Sequence, residues 1–325
     1  MLNLKVKISG SGIYLPSKVV TSKQLEEDIG YSETRKPGWI KESTGIEERR
    51  WVTENDDQIS MAINASDKAL RNANSSIDTI LVGRSRYIDP RSLVLAGAVH
   101  DGLKKLGHNL ENVNYIDGFY VCTGSISALL EAGLHISSGI SKGALIVASA
   151  IGSKYYSKYH PSTGCLWGDG AGAIVVESSD EEGILAYKGL GIPELWDIFP
   201  LRTDKDGRDY IGMDGKAVIH GVMQYGPKLV EETVEEAGLT LDDITLFLFH
   251  QANENLIKRF SKELEIPKDK VFLNVYKYGN TSSASSLIAY HEAKNEGRLQ
   301  EGSICAFIAF SAGFYINCMI YRHGT

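Results

Sequence analysis

The chain is predicted to be an α/β protein made of two similar halves. Two observations predict this. Helical and strand patterns alternate from end to end, and one strand–elbow–helix pattern occurs twice. A length of 325 residues suits two units on a prior of about 100–200 residues per domain.

Taken in order, the first 16 residues, MLNLKVKISGSGIYLP, alternate and then turn at Gly and Pro. They read as a strand and lack the continuous apolar core of a signal peptide. Ile59, Ala62, Ile63, Ala69 and Leu70 share a helical stripe, as do Val222, Leu229, Val230, Val234 and Ala237. Leu256, Ile257, Phe260 and Leu264 form a third. Short apolar runs at Thr79–Val82, Ala144–Ala148, Ala173–Val176, Thr245–Phe249 and Ile304–Phe310 read as buried strands. The apolar stretch Ile304–Ile320 is broken by Ser311, Gly313 and Asn317. A membrane helix needs about 20 nearly unbroken apolar residues, so two strands around a turn are expected.

The repeat begins with Asn114-Tyr115-Ile116 and continues through Tyr120-Val121-Cys122-Thr123-Gly124-Ser125 into a helix at Ile126. Its second copy is a strand at Val271-Phe272-Leu273, an elbow at Tyr278-Gly279-Asn280-Thr281-Ser282-Ser283 and a helix at Ala284. Strands led by Gly143 and Gly302 follow. The halves are placed at residues 1–177 and 178–325, joined by a surface turn at Ser178–Gly183. On this register Cys122 and Asn280 occupy equivalent elbows that point to the middle of the molecule.

Composition narrows the function. Lys and Arg total 34 against 41 Asp and Glu, a net charge of −7, so a nucleic-acid footprint is absent. The four Cys contain no CxxC pair, which supplies neither a zinc framework nor a disulfide lattice. The eight His offer no HExxH spacing, so no metal is expected. Free thiols and the missing leader suit the cytoplasm. The glycosylation-like triplets at Asn64 and Asn74 are then chance matches.

Cys122 precedes a small-residue helix start, where the helix dipole favours thiolate. Cys165, Cys305 and Cys318 lack such an elbow and read as structural. His250 ends an apolar run, at the carboxyl end of a strand, where open α/β sheets place functional groups; taken alone it also suits a satisfied core histidine. Asn280 after Gly279 is first of all a turn or cap residue. Gly168-Asp169-Gly170-Ala171-Gly172-Ala173 is followed by a strand pattern, not a helix, so it reads as a tight turn in close contact with another element rather than a dinucleotide loop.

In combination these motifs are specific. Cys122-Thr123-Gly124, the Gly168–Ala173 segment, His250-Gln251-Ala252-Asn253 and Tyr278-Gly279-Asn280-Thr281-Ser282 occur in one order. Together with Trp39-Ile40 and Thr44-Gly45-Ile46-Glu47-Glu48-Arg49-Arg50, the chain resembles β-ketoacyl-acyl-carrier-protein synthase III, one of the thiolase-like condensing enzymes. The resemblance implies a five-layered αβαβα fold and a Cys-His-Asn site of the initiating type. Cys122 would carry the acyl group, and His250 and Asn280 would stabilise the enolate left when a malonyl thioester loses carbon dioxide. The backbone N–H groups of Cys122 and Ala312 would form the oxyanion hole. Trp39 and Phe310 would contact substrate, and Lys258, Arg259 and Lys262 would dock acyl carrier protein. Acyl-coenzyme A or acyl carrier protein would be a substrate, with no resident cofactor. A homodimer is implied, with no nucleic-acid or membrane partner.

The chain also departs from the family pattern. Phe310-Ser311-Ala312-Gly313-Phe314 replaces a Phe-Gly-Gly-Gly-Phe closing motif. The Cβ at 312 disfavours positive φ, so the amide there either holds an ordinary backbone conformation or is misplaced for an oxyanion hole. Ser43, the His160–Gly164 segment and Asn255 stand where the family carries arginines, and His220 replaces a lysine. These changes favour, as alternatives, a specialised-metabolism relative with an unusual or carrier-bound acceptor, or a non-catalytic partner subunit.

Overall fold

The computed structural model describes residues 2–73, 76–85, 91 and 93–324. Asn74 and Ser75, of the second glycosylation-like triplet named above, lie outside the described residues.

The first part of the chain forms β1 (Val6–Tyr14), β2 (Lys18–Thr21), α1 (Ser22–Ile29), α2 (Trp39–Thr44), β3 (Glu48–Trp51), α3 (Gln58–Arg71) and β4 (Thr79–Arg84). Then come α4 (Leu95–Lys105), β5 (Asn114–Phe119), α5 (Gly124–Ser137), β6 (Gly143–Ile151), α6 (Pro161–Gly164) and β7 (Asp169–Ser178). The second part forms β8 (Ile184–Gly191), β9 (Leu201–Thr203), β10 (Asp209–Ile211), α7 (Gly215–Glu236), β11 (Leu246–Phe249) and α8 (Glu254–Glu263). It ends with α9 (Val275–Tyr278), α10 (Ser285–Asn295), β12 (Ile304–Ser311) and β13 (Tyr315–Arg322).

Two sheets carry the fold. One has the order β1-β7-β6-β4-β5, the other β11-β12-β13-β8. From β5 inward the first sheet pairs parallel, parallel, antiparallel, antiparallel. The second repeats this pattern if the isolated parallel bridge between Val271 and Phe247 stands for its missing edge. Every strand of the first sheet lies at or before Ser178, and every strand of the second at or after Ile184.

The apolar runs are continuous because both faces of each sheet are covered. Along β6, Ala144, Ile146 and Ala148 face a central layer made by α5 and α10. Leu145 and Val147 face the opposite way, onto α3 and α4. Along β12, Phe307 and Ala309 join the central core, whereas Ala306 and Ile308 pack under α7 and α8. This is the period-2 alternation of a strand, and the stacking gives the layers αβαβα. Cys305 and Cys318 are fully buried strand residues.

Four expectations need correction. The run Val271–Leu273 is not a strand but the single bridge just named, held by the Phe272 N–H on the Phe247 carbonyl (3.1 Å). The Gly-rich segment is not a tight turn, because β7 already begins at Asp169. Its close approach does hold: a Cβ on Gly168 would lie 1.8 Å from the Tyr278 carbonyl oxygen, and one on Gly172 2.6 Å from Leu287 Cβ. Gly302 sits in a turn with φ +81°, and β12 starts at Ile304. Finally, the two elbows are the 3₁₀ turns Val121–Thr123 and Ser282–Ala284. The structural counterpart of Cys122 is therefore Ser283, not Asn280, and the sequence register was off by three residues.

Strand β5 is an edge strand, and its Tyr115 and Phe119 are exposed. Among the described residues no helix is long and apolar enough to cross a membrane, and no cluster of His, Cys, Asp or Glu suits a metal ion.

Candidate active site

The two elbows and the end of β11 meet at a cavity of 610 Å³, lined by Cys122, His250, Asn280, Phe310 and Ala312. Trp39, Ser43, Asn253 and Arg259 also line it.

Cys122 is carried by a strained turn. Val121, immediately before it, has φ +53°, and Ser282 at the second elbow has φ +50°. A β-branched residue in the left-handed region is a true outlier, and such strain persists only where the surroundings hold it. The Cys122 sulfur lies 3.5 Å from the Ser282 hydroxyl. Helix α5 starts only at Gly124, and the thiol faces a mostly apolar cavity. Burial pushes the thiol up to about 11, opposed by the Ser282 hydrogen bond. The expected ready ionisation is thus not met in the resting site, because desolvation of the thiolate outweighs one hydroxyl.

His250 follows β11, where its N–H donates to the Ile308 carbonyl (2.7 Å). Its ring is buried edge-on against Phe310, with centroids 5.7 Å apart. Burial lowers its pKa to about 3, so the ring is neutral near pH 7. Nδ1 lies 2.6 Å from the Ser285 hydroxyl, which also accepts the Gln251 N–H at 3.3 Å. In the tautomer that suits this pairing, Ser285 gives its own proton to Nδ1. The ring proton then resides on Nε2, as a donor.

Asn280 is pinned on every side but one. Its N–H donates to the Leu166 carbonyl (2.7 Å), and its carbonyl accepts from Gly168 (3.0 Å). Its side-chain oxygen accepts the Ser282 N–H (2.8 Å). That leaves the Asn280 amide nitrogen as a donor without a protein partner among the described residues. The site thus offers one thiol and two neutral donors.

The remaining predicted residues sort by position. Ala312 has no positive φ; the left-handed residues are Gly313 (φ +77°) and Phe314 (φ +40°). Of the two alternatives at 312, the loop adopts the ordinary backbone. Lys258, Arg259 and Lys262 share the exposed face of α8, with Leu256, Ile257 and Phe260 on its buried face. Lys258 is tied to Glu254 at 2.5 Å, whereas Arg259 and Lys262 have no ion pair among the described residues. Asn255 donates to the Glu42 carbonyl (2.8 Å) and Asn253 to the Ser43 carbonyl (3.3 Å), joining α8 to α2 at the mouth. Cys165 lines the same cavity, but burial pushes its thiol up to about 12. Ser282 and Ser285 were not singled out from the sequence. The small-residue run Thr281–Ser285 at an elbow is the signal that could have marked them.

The protonation states lead to a measurable expectation. Alkylation of Cys122 by iodoacetamide should speed up about tenfold per pH unit from pH 6 to 9, because only the thiolate reacts and its fraction grows until about pH 11. A thiolate–imidazolium pair would instead give a flat rate across this range, and a flat rate would refute the neutral pair.

Comparison with known proteins gives one family. The profile described as "3-Oxoacyl-[acyl-carrier-protein (ACP)] synthase III" matches residues 116–189, and its C-terminal counterpart matches residues 234–323. The chain is 35% identical over 325 residues to a β-ketoacyl-[acyl-carrier-protein] synthase III of Aquifex aeolicus, covering 98% of this chain and 99% of the relative. The crystal structure of 3-oxoacyl-[acyl-carrier-protein] synthase III from that organism superposes with a TM-score of 0.88 over 98% of this chain and 100% of the other. The priming β-ketosynthase of the R1128 polyketide pathway is 28% identical, with a TM-score of 0.88 over 98% of this chain and 96% of the other.

Proposed function

Because the chain belongs to the 3-oxoacyl-[acyl-carrier-protein] synthase III family, we propose that it condenses an acyl group held on Cys122 with a malonyl thioester to give a 3-oxoacyl-acyl-carrier protein. It is an acyltransferase of fatty-acid initiation. The observation that carries the residue assignment is that Cys122, His250 and Asn280 line one cavity, with the Asn280 oxygen already occupied by Ser282.

The chemistry balances on these groups. The Cys122 sulfur attacks the acyl thioester carbonyl, the bond to the departing thiol breaks, and that thiol leaves with the proton lost by Cys122. The malonyl thioester then loses carbon dioxide, and the electron pair of the broken carbon–carbon bond becomes an enolate. Its oxygen takes hydrogen bonds from His250 Nε2–H and the Asn280 amide. No carboxylate base is needed, since decarboxylation itself makes the carbanion. The enolate carbon attacks the acyl-Cys122 carbonyl, whose oxygen sits between the N–H groups of Cys122 and Ala312. Collapse expels the Cys122 thiolate and leaves the 3-oxoacyl thioester.

Trp39 and Phe310 bound the thioester's path, at the mouth and at the His250 end respectively. Arg259 and Lys262 offer an unpaired basic face to an acidic carrier protein, with Lys258 partly neutralised by Glu254. The exposed edge of β5 suits pairing with a second copy, so the working unit is a homodimer, and we place it in the cytoplasm.

The test is direct. Purified chain, acetyl-coenzyme A or acetyl carrier protein, and malonyl carrier protein should yield 3-oxoacyl-carrier protein by mass spectrometry. Lys262→Glu, on the exposed face of α8 and outside the cavity lining, should raise KM for the malonyl carrier protein several-fold and leave KM for acetyl-coenzyme A nearly unchanged. No product with either donor would refute the assignment. Light scattering that shows only monomer would refute the dimer.

A further inference from the structure

Among the described residues, the imidazole of His250 has one hydrogen-bond partner, the hydroxyl of Ser285. Ser285 is the first residue of α10, at the exit of the second elbow, and it is buried. Its oxygen lies 2.6 Å from His250 Nδ1 and 3.3 Å from the Gln251 nitrogen. The hydroxyl has no other partner among the described residues.

Counting hydrogens at this oxygen locates the ring proton. A backbone N–H only donates, so the Ser285 oxygen accepts from Gln251. The hydroxyl hydrogen then has one acceptor within reach, Nδ1. If Nδ1 carried the ring proton, both neighbours would donate to the oxygen. The hydroxyl hydrogen would be buried with nothing to accept it, which costs free energy. The count therefore puts a lone pair on Nδ1 and the proton on Nε2. Nε2 has no protein partner among the described residues, and His250 lines the reaction cavity.

The direction of the Gln251 N–H is itself fixed. The Gln251 carboxamide donates to the carbonyls of Phe249 (2.9 Å) and Phe272 (3.2 Å). It accepts from the N–H groups of Asn274 (3.0 Å) and Val275 (3.2 Å). These partners are all main-chain groups, so the turn after β11 is tied to the segment that enters α9. The hydroxyls beside Ser285 do nothing comparable. Ser283 and Ser286 are buried, and their side-chain oxygens have no hydrogen bond.

We propose that Ser285 is a positioning residue: it selects the His250 tautomer that presents Nε2–H to the enolate, and it serves decarboxylation rather than the acylation of Cys122. The inference rests on the acyl-Cys122 reading. It adds a residue whose loss separates the two halves of the reaction, because acylation uses the sulfur and backbone N–H groups and does not call on Nε2–H.

The test begins with the unaltered chain. ¹⁵N NMR of the histidine-labelled protein should show His250 with a protonated Nε2 and a bare, hydrogen-bonded Nδ1, its signals identified by their loss in His250→Asn. A proton on Nδ1 overturns the proposal, and that measurement needs no Ser285 variant to fold. Ser285→Ala should slow the reaction of a preformed acetyl-enzyme with malonyl carrier protein about tenfold, a part of the roughly 100–1,000-fold cost of losing a whole donor. KM for malonyl carrier protein and the rate of acetyl transfer from acetyl-coenzyme A to Cys122 should stay nearly unchanged. Ser285→Thr, which keeps the hydroxyl, should recover most of the loss. Ser286→Ala, which removes an unbonded neighbour, should lose nothing. Full condensation rate in folded Ser285→Ala, equal losses in acylation and condensation, or no recovery in Ser285→Thr overturns the proposal, while acetyl adducts on Cys122 uphold acyl transfer. If the unaltered chain takes no acetyl group on Cys122, the acyl-transfer reading itself falls, and the proposal with it.

Discussion

Replacing Cys122 with alanine is expected to lower the rate of 3-oxoacyl product formation on the order of 10⁴–10⁶-fold, the range seen when a covalent nucleophile is removed. The structure leaves no substitute for the thiol. Ser282 is near, 3.5 Å from the sulfur, but among the described residues no base hydrogen-bonds its hydroxyl to activate it. Cys165 shares the cavity, yet burial holds its thiol at about 12. His250 and Asn280 do not depend on Cys122 for their own placement: one rests on Ser285 and Ile308, the other on Ser282, Leu166 and Gly168. The Cys122→Ala protein should therefore still release carbon dioxide from a malonyl thioester while giving no condensed product. Radiometric carbon dioxide release beside an intact-mass search for acyl adducts separates the two halves of the reaction. An adduct on Cys165, or product at near wild-type rate, would remove Cys122 from its role.

Asn280→Asp carries the second largest expected effect, a loss of at least about 10²–10³-fold in condensation, larger than that of Asn280→Ala. The aspartate keeps the oxygen that accepts the Ser282 N–H, so the turn and the elbow are preserved. It replaces the free amide donor with a second acceptor that bears charge. The developing enolate then faces repulsion where it had a hydrogen bond. Acylation of Cys122 precedes this step and should persist. Rapid quench of a preformed acetyl-enzyme with malonyl carrier protein measures the affected step alone. Normal condensation with impaired acylation would place Asn280 on the wrong half of the reaction.

The layers and the meeting of Cys122, His250 and Asn280 at one cavity were legible in the sequence for different reasons. Runs such as Ala144–Ala148 and Ile304–Phe310 were readable because a strand buried on both faces has no polar interruption. Cys122 and His250 were readable because each sits where a strand ends. The edge at Val271 was not, because a single bridge satisfies it and its apolar residues pack without a ladder. The register between the elbows misled because Asn280 stands ahead of its turn while Cys122 lies within its own. The thiol's raised pKa was hidden for another reason: the desolvating groups come from segments as distant as Phe310 and Ala150.

The strained backbone at Val121 has a practical consequence for anyone engineering this chain. Glycine or asparagine there would accept the left-handed conformation without a clash, relieving about 1–3 kcal/mol. Heat-resistance screens would find such variants early. They would also free the peptide that aims the sulfur, so selection on melting temperature alone drifts toward sturdy, slow proteins.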